Sequence, residues 1–220
     1  VDGIFLGNVD TVRFHHNYVD NFTDDGLFLT AVAAEDGTVP GGNILVTQNL
    51  IARCLTAFAF GTGHGRQPRT ELGATLTGRG IRITRNVLDF RGPVYKAPPR
   101  APGQWGEGLW IGRSCADHGS PVWEPMWVYH NTILAHNPAF RHYYVNGWGG
   151  HIQRDTKRRV FNNITVQVTG LPGTALPAGW LDFDAGGNLH WSLQQGPAYD
   201  GDFLAALRDR VRRAAAVKPP

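Results

Sequence analysis

The chain has 220 residues, 42% of them hydrophobic and 18% charged, with 28 glycines. That is enough for one domain around a continuous core, and no apolar run reaches the ~18 residues of a membrane-spanning helix. The net charge of +3 is local: segment 203–220 carries Arg208, Arg210, Arg212, Arg213 and Lys218 against Asp209. Residues 1–202 hold 16 basic and 17 acidic groups, which excludes the basic stripe of a nucleic-acid binder.

Short apolar runs broken by Gly, Asn and Asp predict an all-β chain. The chain opens on Val1-Asp2-Gly3-Ile4, which reads as the middle of a repeat, so the coils are expected to be incomplete at the N-terminus. Two elements then alternate. The first is Asp2-Gly3-Ile4-Phe5-Leu6-Gly7, with copies at Asp25–Thr30, Thr56–Gly61 and Glu107–Gly112. The second is apolar, any, apolar, any, any, Asn, any, apolar. It occurs at Val12–Val19, Ile44–Ile51, Ile81–Leu88 and Met126–Ile133, and in degenerate form at Arg158–Thr165. Alternation up to the Asn is the period of a strand with one buried face. The Asn is expected to turn the chain in left-handed conformation and to stack with its counterparts in an inert ladder.

Asp2 to Asp25 is 23 residues, one coil of three strands and three turns. The Asn spacings of 32, 37, 45 and 32 are longer, so insertions are predicted at about 31–42, 62–79, 91–106 and 113–125. After 168 the pattern dissolves. Segment 171–179 reads as a loop and Trp180–Phe183 as one more strand. Asp202 caps a helix expected over about 203–217, with Phe203, Leu204, Leu207 and Val211 on its apolar side. Coils are thus expected over 1–190 and an extension over 191–220. Two cysteines, Cys54 and Cys115, are too few for a disulfide framework. Two separate half-buried thiols are expected, and their spacing leaves a single bridge open.

Over roughly residues 1–168 the pattern resembles the parallel β-helix repeat of the pectin-lyase-like superfamily. The resemblance implies an all-β, right-handed parallel β-helix, a secreted or cell-surface location, and action on polysaccharide. The chain also resembles polygalacturonase-like hydrolases in part, through Asp2-Gly3, Asp24-Asp25, Gly63-His64-Gly65 and Arg82-Ile83-Thr84. It departs from them where His64 follows its strand instead of preceding it, and where Thr84 stands in place of Lys.

Asp2, Asp25 and Glu107 share one repeat position ahead of a glycine, with Thr56 between them, and Asp24 adds a carboxylate beside Asp25. Coils stack about 4.8 Å apart, so an acidic line is expected along the solenoid. Adjacent carboxylates repel and hold one of them protonated. That pairing serves glycoside hydrolysis, in which one group protonates the leaving oxygen and the other acts as base or nucleophile. The same oxygens suit Ca²⁺, which in pectate-lyase-like enzymes binds the uronate carboxyl. No other cofactor, and no zinc, is indicated. The competing reading is that each Asp merely caps its turn.

Arg113 and His118 are expected on the insertion after the Glu107 strand, as carboxylate clamp and proton shuttle, with Asp117 shaping a turn. His64 is expected on a loop within reach of substrate. Trp105, Trp110, Trp123 and Trp127 cluster, and aromatic faces of this kind stack on sugar rings or pack loops. His15, His16 and His130 are expected at the surface near the Asn turns. The expected function is a polysaccharide lyase or glycoside hydrolase. Its catalytic groups would be Asp24, Asp25, Glu107 and His118, and its substrate contacts Arg113, His64, Trp105 and Trp110. The alternative is a non-catalytic glycan-binding or surface-structural module of a larger protein.

Overall fold

The computed structural model describes residues 2–7, 9–30, 42–60, 80–91, 112–117, 126–136, 140–145, 158–168, 183–194 and 196–199. These form eighteen strands in successive triplets. The first coil is β1 (Ile4–Gly7), β2 (Asp10–His15) and β3 (Tyr18–Asp20); the second is β4 (Asp25–Thr30), β5 (Gly42–Thr47) and β6 (Leu50–Ala52). The third is β7 (Thr56–Phe60), β8 (Ile81–Thr84) and β9 (Val87–Phe90); the fourth is β10 (Arg113–Asp117), β11 (Met126–Tyr129) and β12 (Thr132–Ala135). The fifth is β13 (Arg141–Val145), β14 (Arg158–Phe161) and β15 (Ile164–Gln167). After it come β16 (Phe183–Gly186), β17 (Leu189–Ser192) and β18 (Gly196–Tyr199).

Each strand pairs with its counterpart one coil away, giving three stacked sheets. Sheet A is β1-β4-β7-β10-β13, sheet B is β2-β5-β8-β11-β14-β16, and sheet C is β3-β6-β9-β12-β15-β17-β18. All pairings are parallel except β17 with β18. The protein is therefore a parallel β-solenoid. The 23-residue coil length holds for the first step, where Ile4 lies opposite Leu27.

The core runs up the middle. Leu27 and Phe58 from sheet A, Ile44, Ile81 and Met126 from sheet B, and Ile51, Leu88 and Ile133 from sheet C are all buried in register. Alternate residues fill this lumen because the strand period is two.

The Asn ladder forms, with one rung more than the sequence pattern indicates. Asn17, Asn49, Asn86, Asn131, Asn163 and Asn188 stack in order, each donating backbone N–H and Nδ2 to the next Oδ1 at 2.9–3.0 Å. The sixth rung follows the same rule, since Phe183, Ala185 and Asn188 keep the spacing. It escapes notice because His190 stands where the pattern wants an apolar residue.

The turn itself works differently from the expectation. The left-handed residue is the one before each Asn: His16, Gln48, Arg85, His130 and Asn162, with φ of 53–57°, and Gly187 at 66°. That residue reverses the chain, leaving the Asn amide free to run along the stack. A left-handed L-residue costs about 1–2 kcal/mol, which the ladder's hydrogen bonds offset.

Cys54 and Cys115 are both free and fully buried. The expected insertion at 113–125 is corrected at its start, because Arg113–Asp117 is β10 itself. No helix occurs among the described residues, and none there is long and apolar enough to cross a membrane. The helix expected at 203–217 lies outside them.

Candidate functional site

The chain passes from sheet C to sheet A through a short turn, residues 21–24 in the second coil. Asn21 opens it in left-handed conformation, with φ 65°. Asp24 and Asp25 follow as β4 begins, and Asp2 holds the equivalent place one coil earlier, since the Gly3 N–H donates to the Asp25 carbonyl at 2.8 Å. The Asp24 carbonyl accepts from the Leu55 and Thr56 N–H groups of the next coil at 3.1 and 3.3 Å. Backbone bonds on both sides thus hold the turn.

Three carboxylates converge here. One oxygen from each of Asp2, Asp24 and Asp25 lies within 4.8 Å of the others. Asp2 is exposed, Asp24 half-buried and Asp25 buried, so the group grades from solvent into the wall. The glycine after each Asp is a packing requirement. A Cβ on Gly3 would lie 2.6 Å from the Gly26 carbonyl oxygen, and one on Gly26 would lie 3.1 Å from Cys54 Sγ. Beneath Gly26, burial pushes the Cys54 thiol up to about 11, and the Asp20 and Asp25 carboxylates add to that. Cys54 is therefore an uncharged floor to the site, not a nucleophile.

Further along the stack the acidic line ends. The register continues Asp25, Thr56, Arg113, Arg141. Arg113, not Glu107, fills the place one coil beyond Thr56, so the repeat copy expected at Glu107–Gly112 is displaced by six residues. Arg113 starts β10 instead of sitting on an insertion, and is only 7% exposed.

Asp117 is no turn residue either. It lies in the lumen, where its carboxylate accepts from Arg158 Nε at 2.9 Å and from the Tyr143 hydroxyl at 2.7 Å. Burial and the Asp117 charge push the Tyr143 hydroxyl well above its usual range, which keeps it a donor. The same two causes raise the Cys115 thiol. The degeneracy of the fifth repeat is thereby explained: Arg158 takes a core position because Asp117 is there to meet it.

Arg82, Ile83 and Thr84 lie in β8 on sheet B, away from the carboxylates at the start of sheet A. The elements shared with polygalacturonase-like hydrolases therefore do not gather on one sheet. Arg82 instead donates to Asn43 Oδ1 at 2.6 Å. Glu107, His118, His64, Trp105 and Trp110 lie outside the described residues. No protein-family model, curated protein or solved structure matches this chain.

Proposed function

We propose that this protein is a right-handed β-helix of the pectin-lyase-like kind that acts on a polysaccharide through Asp2, Asp24 and Asp25. The observation that carries this reading is the convergence of three carboxylates from two successive coils, graded from exposed to buried. In a hydrolytic reaction Asp24 and Asp25 supply the acid–base pair, one protonating the glycosidic oxygen while the other serves as base or nucleophile. Glu107 and His118 are further candidates for proton transfer, and His64, Trp105 and Trp110 for sugar contact.

The same three residues fit a calcium ion. Their oxygens are hard ligands, and a separation within 4.8 Å matches a sphere with metal–oxygen distances of about 2.3–2.6 Å. Such an ion would supply positive charge to bind an acidic sugar.

A second reading, a glycan-binding module without catalysis, is favoured by the register. Arg113 stands where a further carboxylate was expected, and Arg82 lies on another sheet. One experiment separates the two. The protein is incubated with a panel of neutral and acidic polysaccharides, with and without a calcium chelator, and scored for bound glycan, new reducing ends and unsaturated products. Catalysis predicts product formation and a fall of about 10²-fold or more in D25N. Binding with no product supports the module, and product formation unchanged in D25N sinks the acidic site.

A further inference from the structure

His15 ends β2, and His16 takes the left-handed turn position that follows, with φ 57°. Both side chains are exposed. Their Nδ1 atoms lie 2.7 Å apart, and the rings meet edge to face with centroids 5.0 Å apart at 85°. The turn dictates this arrangement. Three coils along, Tyr129 and His130 occupy the same two positions, and their rings stand 5.2 Å apart at 75°. The turn is in turn held by Asn17, whose Nδ2 donates to the His15 carbonyl at 2.9 Å and to Asn49 Oδ1 at 3.0 Å. The ladder thus fixes the backbone from which the two exposed rings project.

We propose that His15 and His16 form a two-nitrogen chelate for a divalent transition-metal ion, with Cu²⁺ preferred to Zn²⁺. A neutral imidazole carries its proton on either ring nitrogen, and with the proton on Nε2 it offers Nδ1 as a ligand atom. With both rings in that tautomer, two Nδ1 ligand atoms 2.7 Å apart come within reach of one ion after a small rotation of the exposed rings. Imidazole nitrogens bind such ions at about 2.0–2.1 Å. At that length a 2.7 Å bite subtends about 80° at the metal. This is close to the ~90° between neighbouring ligands of a tetragonal Cu²⁺ or Ni²⁺ ion, and well short of the ~109° of tetrahedral Zn²⁺. Water completes the shell at this exposed site. The chelate is independent of the carboxylate group, which lies on the turn from sheet C to sheet A and offers only oxygen.

The test is titration of the full chain with Cu²⁺, Ni²⁺ and Zn²⁺ in a non-coordinating buffer, read by calorimetry and, for Cu²⁺, by electron paramagnetic resonance. Native protein is expected to bind Cu²⁺ most tightly, with nitrogen hyperfine structure. H15A, H16A and H15Q should each weaken Cu²⁺ binding at least tenfold, while H130A, which alters the corresponding turn without a pair, should not. Circular dichroism confirms that each variant is folded. Unchanged affinity and spectrum in the H15A/H16A double variant overturns the proposal, as does a loss seen in D25N but not in H15A or H16A.

Discussion

Asp117 and Arg158 occupy places that other coils fill with hydrocarbon. Asp117 is in register with Phe60, and Arg158 with Met126. A charge in that lumen is tolerated only while its partner is present, so each single change strands the other group. D117A or R158M is expected to lower the unfolding free energy by about 3–5 kcal/mol. The triple change D117L/R158M/Y143F removes the charges and the hydroxyl together. It is expected to return stability to the native value or above, as apolar replacements of buried ion pairs do. Urea unfolding of the three proteins decides it. If the triple variant is as weak as the singles, the pair does more than neutralise itself.

The Asn-ladder turn is the element that repeats without exception through all six rungs. Its contribution depends on place. Asn86 is buried, receives two hydrogen bonds on Oδ1 from Asn49, and donates to Val46 O and Asn131 Oδ1. N86L deletes these and leaves the Asn49 N–H without its partner. At roughly 1 kcal/mol per bond the loss is about 4 kcal/mol. Asn17, the first rung among the described residues, is exposed, and its side chain donates to Asn49 Oδ1 and the His15 carbonyl, so N17L is expected to cost about 1–2 kcal/mol. Thermal unfolding of the two variants should show this ratio, and equal losses would mean the rungs are not cooperative. The glycines of the Asp-Gly elements matter for a different reason, close coil-to-coil approach, and would not tolerate a methyl group at Gly3.

Among the described residues each strand of a coil pairs with its counterparts in the adjacent coils, so stability adds up along one dimension. Among the described residues the first coil pairs on one side only, and its Phe5 and Tyr18 are 57% and 63% exposed. The third and fourth coils pair on both sides, and β7 and β10 are buried throughout. Native-state hydrogen exchange should therefore be fastest in β1–β3 and slowest in β7–β12, with the gap closing only near the denaturation midpoint. Uniform protection would show instead that the solenoid opens as a single unit.

The parts of this architecture that depend on side-chain period alone were legible in the sequence. Alternating apolar residues, the recurring Asn and the 23-residue step from Asp2 to Asp25 define the coils, their sheets and the acidic turn, because every coil must repeat the same local solution. Three things needed the tertiary structure. The displacement of Glu107 by Arg113 was invisible because insertions break the period, and only pairing with β7 sets the register. The Asp117–Arg158–Tyr143 group joins residues 26 and 41 positions apart, a contact made across the lumen and not along the chain. The turn geometry, with its left-handed residue ahead of the Asn, followed from the need to point the amide up the stack. That same geometry brings His15 and His16 together.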